Sequence, residues 1–378
     1  MIPVPPAQIG AAFSGIDTPA LLIDLDAFER NLDAMAEFCA QRPVRLRPHA
    51  KTHKSPIIAA KQIARGACGI CCQKLSEAEA MVAAGIGNVL ITNEIIGEAK
   101  LARLASLARQ AQIGVCADNA AAVDAMAAAA EQFGSRLDVL VEIDVGGRRC
   151  GVPPGAPAAE LAQRIAAKST LNFAGLQAYH GAAQHLRLPS EREAAVASAR
   201  AAAEHTLHLL KSAGLSCNII GGGGTGTVEL EAASGVWNEL QPGSYIFMDA
   251  DYAKNKRDAG AAVPAFEHSL YVLASVMSLS SGRAVVDVGH KALSNDSGFP
   301  AVLGKAGVAY GRPSDEHGVL EYSEQAWSPA LGEKVLLIPG HCDPTVNLYD
   351  WYVGVRQFGT PKAHVECLWP VAARGALI

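Results

Sequence analysis

Between residues 20 and 245, short apolar runs rich in Val and Ile alternate with longer stretches whose apolar residues recur at helical spacing. The runs at 21–25, 44–48, 69–72, 89–92, 113–117, 137–143, 173–179 and 218–220 read as strands. Their hydrophobicity is continuous rather than alternating, which predicts strands covered on both faces. Residues 27–40, 74–84, 98–110, 120–133 and 190–212 read as helices. The last is dense in Ala, Glu and Arg and opens on Ser190 and Glu193 at capping-box spacing. Eight strands at roughly 28 residues per βα unit match a (β/α)8 TIM-type barrel. A doubly wound open sheet is the competing arrangement, and the lack of an early Gly-x-Gly-x-x-Gly favours closure.

After residue 245 the texture changes to short alternating runs at 270–277, 284–288, 335–338, 351–355 and 365–369, separated by turn residues such as Ser281-Gly282 and Gly311-Arg312-Pro313. The expectation is an α/β chain with a barrel over 20–245. A C-terminal antiparallel β domain follows over 246–378, joined by residues 1–19.

With 378 residues, half of them apolar, the chain can bury a large core, and 18% charged residues exclude wholesale disorder. Lys and Arg number 32 against 37 Asp and Glu, a net charge of −5 without a basic block, which argues against a nucleic-acid partner. No apolar run reaches the length of a bilayer span, so no membrane partner is expected. Met1-Ile2-Pro3-Val4-Pro5-Pro6 lacks the basic and apolar segments of a signal peptide, and a cytoplasmic location is the expectation. The nine cysteines are odd in number and scattered, and most read as small buried hydrophobes rather than disulfides or zinc ligands.

In a barrel, chemistry gathers at the C-terminal strand ends. The second predicted strand runs into Arg47-Pro48-His49-Ala50-Lys51, where a desolvated lysine would become a nucleophilic amine suited to Schiff-base chemistry. The alternative is a solvated, cation-rich loop. The eighth runs into Gly221-Gly222-Gly223-Gly224-Thr225-Gly226-Thr227, whose bare backbone N–H groups and hydroxyls suit a phosphate. Gln241-Pro242-Gly243-Ser244-Tyr245 offers a second set of donors. A lysine in one loop and a phosphate cradle in another point to pyridoxal 5'-phosphate.

In Pro339-Gly340-His341-Cys342-Asp343-Pro344 an extended backbone would turn His341 and Asp343 to one side and Cys342 to the other. An imidazole with a carboxylate suits a borderline divalent ion such as Mn2+ or Zn2+. The loop after 173–179 carries His180 and His185, either of them a general base, and the loop after 137–143 carries Arg149.

Together these segments resemble the fold-type III pyridoxal-phosphate enzymes related to alanine racemase. The match is closest to the D-threonine aldolase family, beside the β-hydroxyaspartate aldolases. It is carried by Asp17-Thr18-Pro19-Ala20, Arg47–Lys51, Gly69–Lys74, Arg149-Cys150-Gly151-Val152, Leu176–His180, Gln184-His185, Gly222–Gly226, Asp315-Glu316-His317-Gly318 and Pro339–Pro344, spread over the whole chain.

The resemblance implies that Lys51 binds the cofactor as an imine and that Gln73 belongs to its site. It places Arg149 on the ring's phenolic oxygen and Tyr179 on the cofactor face or phosphate. Gly224, Thr225, Gly226, Gly243, Ser244 and the adjoining Tyr245 fall to the phosphate side. Gln241 stands where alanine racemases carry an arginine toward the pyridine nitrogen. His185 corresponds to the catalytic base, and His341 with Asp343 to the ligands of a divalent metal, Mn2+ first and Mg2+, Co2+ or Zn2+ as alternatives. The implied activity is retro-aldol cleavage of a small D-β-hydroxy-α-amino acid to glycine and an aldehyde, by a homodimer. Cleavage of β-hydroxyaspartate, dehydration of D-serine or D-3-hydroxyaspartate, and racemisation are the enzyme alternatives. A non-catalytic pyridoxal-phosphate carrier is the alternative from another class.

Overall fold

A computed structural model of the chain describes residues 4–257 and 265–378. Eight short parallel strands form the first sheet: β2 (Arg45–Leu46), β3 (Ile70–Cys72), β4 (Asn88–Glu94), β5 (Gln112–Ala117), β6 (Leu137–Glu142), β7 (Leu171–Gln177), β8 (Ile219–Gly222) and β9 (Glu239–Leu240), preceded in the chain by β1 (Ala20–Asp24). Their order is β2-β9-β8-β7-β6-β5-β4-β3. A parallel bridge between His49 and Cys71 joins the two ends, with Ala50 N donating to Cys71 O at 2.7 Å and Cys71 N to Pro48 O at 2.9 Å. The sheet therefore closes into the expected barrel.

The strand count is eight, but not the eight read from the sequence. Ala20–Asp24 does not enter the barrel. It pairs antiparallel with β10 (Leu270–Ser280) and parallel with the later strand Trp351–Arg356. Its place in the barrel is taken by β9, which is two residues long and carries the fully buried Glu239. Arg47, after β2, pairs with Glu239 at 2.7 Å and donates to Asn88 of β4 at 2.7 Å, so the base of the barrel holds a satisfied charge network. Above it Cys71, Leu90, Cys116, Leu140 and Ala174 pack as a separate small cluster. Two of these are the cysteines expected to act as small hydrophobes.

The helices are α1 (Leu25–Ala40), α2 (Pro56–Ile63), α3 (Leu75–Ala83), α4 (Glu98–Leu107), α5 (Ala120–Gln132), α6 (Ala156–Ala166), α7 (Pro189–Ser212) and α8 (Val228–Ala233). The helix α1, capped by the Asp24 carboxylate on the N–H groups of Asp26 and Ala27, packs on the Ser244–Ile246 turn after β9 and completes the outer ring. The helices α2 and α6 carry Pro in their first turns and were not read from the sequence. The long helix starts at Pro189, not Ser190, and Glu191 rather than Glu193 accepts the Leu188 N–H, at 3.1 Å.

The second sheet is built from β1, β10, β11 (Arg283–Val286), β12 (Ala301–Val302), β13 (Val308–Gly311), β14 (Gly318–Tyr322), β15 (Lys334–Ile338), β16 (Trp351–Arg356) and β17 (His364–Pro370). It is mixed rather than antiparallel, because β1 runs parallel to β16. Residues 4–19 lie along it, with Gly10 N donating to Val365 O at 2.8 Å. Tyr352 of β16 donates its hydroxyl to His53 O at 2.8 Å, fastening this sheet to the β2 loop.

Candidate active site

A cavity of about 410 Å³ opens at the C-terminal ends of the barrel strands, with the β15 end of the second sheet forming one wall. Lys51 reaches it from the loop after β2. That loop is not the solvated, cation-rich turn of the alternative reading: Thr52, His53 and Ser55 are fully buried, and Lys54 is buried on Glu77 at 2.5 Å. The Lys51 ammonium bonds the Asp343 carboxylate. Burial opposes its charge, but Asp343 and Tyr179 outweigh burial and hold the amine above its ordinary range.

Two stretches of backbone line the same cavity as Lys51, Gly224-Thr225 after β8 and Gly243-Ser244 after β9. With β1 outside the barrel these are the loops after its seventh and eighth strands, where barrels commonly hold phosphate. The space is reserved by side-chain size. A Cβ at Gly224 would stand 2.4 Å from Gln184 Oε1, and one at Gly243 2.4 Å from Thr52 Oγ1. Thr225 Oγ1 is buried without a hydrogen-bond partner. An orphaned hydroxyl in a glycine cradle is what a bound phosphate would satisfy, so these residues fit that group.

Two expected ligands lie elsewhere. Gly226 does not line the cavity, because its N–H is spent on Gln184 Oε1 at 2.9 Å. Tyr245 is turned into the core, where its ring packs on Phe266 and its hydroxyl accepts from Gln62 at 3.1 Å.

Gln73, Arg149, Tyr179 and Gln241 all line the cavity. The Arg149 guanidinium lies 5.9 Å from the Tyr179 ring centre and 3.9 Å from Glu142. Burial and the neighbouring Glu94 push the Glu142 carboxyl up to about 8.

Of the two loop histidines, His185 faces the cavity. It ends the 3-10 turn Ala182–His185, and its Nδ1 lies 2.7 Å from Asp251 Oδ2. His180 instead packs against Gly146, a Cβ on which would stand 2.8 Å from the imidazole.

The Pro339–Pro344 segment is not extended through Asp343. His341 caps the short helix α9 (Cys342–Val346), and the Asp249 carboxylate receives the Cys342 N–H at 3.0 Å. Strand alternation therefore does not set these side chains. The cavity wall includes His341, whose Nδ1 lies 2.7 Å from Asp296 Oδ2, while Asp343 sits behind it on Lys51. A histidine pinned through one nitrogen by a carboxylate leaves the other as a metal donor, so His341 fits a divalent ion. The Asp343 carboxylate is engaged by the Lys51 ammonium and becomes a second donor only when that amine is taken up elsewhere. Cys342 is fully buried, and burial pushes its thiol well up, which excludes it as a ready thiolate ligand.

His49, Thr92, Glu142, Gln177 and Tyr252 also line the cavity without having been singled out. Glu142 is the last residue of a correctly read strand, so the strand-end rule could have found it. Tyr252 and Asp251 stand in a segment with no pattern to mark it.

Comparison with known proteins agrees with this fold. Residues 23–251 match the family model of the alanine racemase N-terminal domain, and 269–355 a putative serine dehydratase domain. The D-threonine aldolase of Arthrobacter sp. is 49% identical over 98% of this chain and 96% of its own. The chain belongs to the D-threonine aldolase family. The crystal structure of the D-threonine aldolase from Filomicrobium marinum superposes with a TM-score of 0.96 at 52% identity, covering 99% of this chain and 100% of that one. The 3-hydroxy-D-aspartate aldolase of Paracoccus denitrificans (strain Pd 1222) is 44% identical over 98% of this chain and 95% of its own. A D-threo-3-hydroxyaspartate dehydratase solved in a metal-free form gives a TM-score of 0.83 at 28% identity, covering 95% of this chain and 98% of that one. Among the described residues no helix is long and apolar enough to cross a membrane.

Proposed function

We propose that the protein is a pyridoxal-phosphate- and divalent-metal-dependent lyase that cleaves D-threonine and similar D-β-hydroxy-α-amino acids to glycine and an aldehyde. The observation that carries this reading is the convergence of Lys51, His185, His341 and the Gly224-Thr225/Gly243-Ser244 cradle on one cavity. Lys51 would hold the cofactor through its aldehyde carbon, the cradle its phosphate, and Arg149 its phenolic oxygen. When bound, the cofactor supplies an electron sink for the Cα carbanion, and the ion, Mn2+ by first choice, acidifies the substrate's β-hydroxyl.

The chain's own groups do the rest. His185, on the cavity wall, accepts the β-hydroxyl proton. Loss of that proton lets the C–O bond become a carbonyl as Cα–Cβ breaks, and the aldehyde departs. Cα then takes up the proton that His185 accepted, directly or through water, to give glycine. Tyr179 and Tyr252, both on the wall, narrow the chamber and limit water around the carbanion.

Cleavage of 3-hydroxy-D-aspartate is the second reading, supported by the Paracoccus relative. The cavity favours it less. Its lining brings the carboxyls of Glu142 and Asp144, and once Lys51 is engaged Arg149 is the one Lys or Arg left among the described lining residues. A second substrate carboxylate would find, among the described lining residues, no Lys or Arg that the cofactor does not already use. Dehydration is disfavoured by Asp343, where the resemblance puts a cysteine in D-serine dehydratases.

A homodimer in the cytoplasm, acting on free amino acids rather than nucleic acid or membrane, completes the proposal. The family resemblance and the net charge of −5 support it, and light scattering should give twice the 39.3 kDa chain mass.

Side-by-side assays on D-threonine and D-3-hydroxyaspartate, with glycine and ammonia measured separately, test the reaction type. Glycine and acetaldehyde from D-threonine are expected, and ammonia with a 2-oxo acid would overturn the proposal.

A further inference from the structure

His185 is held from one side by a carboxylate that contributes nothing to the cavity wall. Asp251 Oδ2 lies 2.7 Å from His185 Nδ1, and the Asp251 side chain is only 7% exposed. Its second oxygen bonds Arg187 Nη2 at 2.5 Å and lies 3.5 Å from Lys254 Nζ, so both oxygens have fixed partners. Burial opposes the charge of Asp251, but the bonds from His185 and Arg187 outweigh it and keep the carboxyl below its ordinary range. An ionised carboxylate has no proton to offer, so the hydrogen in this contact belongs to Nδ1. The lone pair of the imidazole is then on Nε2, the nitrogen left for the cavity.

The backbone of the same segment hangs from the His341 loop. Ala250 N donates to Pro339 O at 2.9 Å and Asp251 N to Gly340 O at 3.2 Å. Asp251 thus ties the loop carrying the base to the loop carrying the metal ligand.

We propose that Asp251 is a positioning residue for the reaction: it fixes the Nδ1–H tautomer of His185 and sets the distance of that base from the His341 loop. The inference rests on the reading of His185 as proton acceptor, and the test separates the two. Asp251→Asn keeps size and shape but can turn its amide N–H toward Nδ1, which moves the imidazole hydrogen to Nε2 and removes the acceptor.

The experiment measures kcat and KM for D-threonine cleavage with the loaded enzyme in wild type, Asp251→Asn, Asp251→Glu, His185→Ala and the His185→Ala/Asp251→Asn double variant. Cofactor absorbance serves as the check on folding. The expected result is a kcat loss on the order of 10²–10⁴-fold for Asp251→Asn with little change in KM. Partial recovery is expected in Asp251→Glu, with no further loss when Asp251→Asn is added to His185→Ala. Wild-type kcat in Asp251→Asn beside a crippled His185→Ala would overturn this inference and leave the role of His185 standing. An equal loss from Asp251→Asn in both backgrounds would overturn it too, since the aspartate would then act on structure alone. Full activity in His185→Ala would remove the base itself, and the inference with it.

Discussion

The side-chain amides of Gln177 and Gln241 hydrogen-bond each other twice, Gln177 Nε2 to Gln241 Oε1 at 2.7 Å and Gln241 Nε2 to Gln177 Oε1 at 3.1 Å. They meet across β8, which lies between β7, which Gln177 ends, and β9, which Gln241 follows. Room for the pair comes from Gly221, where a Cβ would stand 2.5 Å from Gln241 Nε2. Each amide keeps one N–H and one lone pair for the cavity, so Gln241 remains able to meet a ring nitrogen as a neutral partner. Gln177→Leu leaves the inner N–H and C=O of Gln241 unpaired in a buried place. Denaturant unfolding of the variant should show a loss of about 1–3 kcal/mol, and unchanged stability would contradict the pairing.

The glycine cradle predicts a size effect on cofactor affinity. Gly243→Ala brings a methyl to 2.4 Å from Thr52 Oγ1, in a loop whose neighbouring residues are fully buried. The loop must shift away from the phosphate position. Titration of the apoprotein with pyridoxal phosphate should show affinity at least about tenfold weaker, equivalent to 1.4 kcal/mol.

The two kinds of ligand predicted at the cavity can be stripped separately. Chelation by EDTA should abolish cleavage while the cofactor's visible absorbance stays, and Mn2+ should restore activity in wild type. His341→Ala should lose about 100-fold or more and recover poorly, because a site with two protein ligands has no spare donor to replace one. Full activity in metal-free buffer would refute the roles given to His341 and Asp343.

Stability should carry the mark of Glu231, on α8 beneath the phosphate loop. Burial pushes its carboxyl up to about 7 from an ordinary 4.5, against the hydrogen bond from Thr227 Oγ1. The folded chain keeps this proton to higher pH than the unfolded chain does. The contribution is therefore fully present below pH 4.5 and is lost as pH rises through 7, at a cost of about 3 kcal/mol. Melting of the apoprotein between pH 5 and pH 8 should show that decline, and Glu231→Gln should flatten it.

The barrel was legible because continuous apolar runs separated by helical periodicity have few other solutions. Its seam was not. Leu21, Leu22 and Ile23 are buried on both sides in a mixed sheet as they would be in a barrel, and pattern alone does not distinguish the two. Glu239–Leu240 carries a charge whose partner, Arg47, is nearly two hundred residues away, so no apolar run announces it. The site shows the same division. Lys51, Arg149 and His185 follow strands and were found by position. Asp343 was read from the alternation of an extended segment, which does not hold, since the Asp249 carboxylate receives the Cys342 N–H where the segment turns into a helix. The bonds of Asp251 to His185, Asp296 to His341 and Gln177 to Gln241 join residues distant in sequence, and such partners leave no local signal.

The central claim is that the Lys51 amine captures the cofactor's aldehyde. Borohydride reduction of the purified, cofactor-loaded protein followed by peptide mass spectrometry tests it directly. A phosphopyridoxyl adduct on the peptide containing Lys51, lost in Lys51→Ala together with the visible absorbance, is the predicted result. Absence of any adduct, or an adduct at a different lysine, would contradict the account.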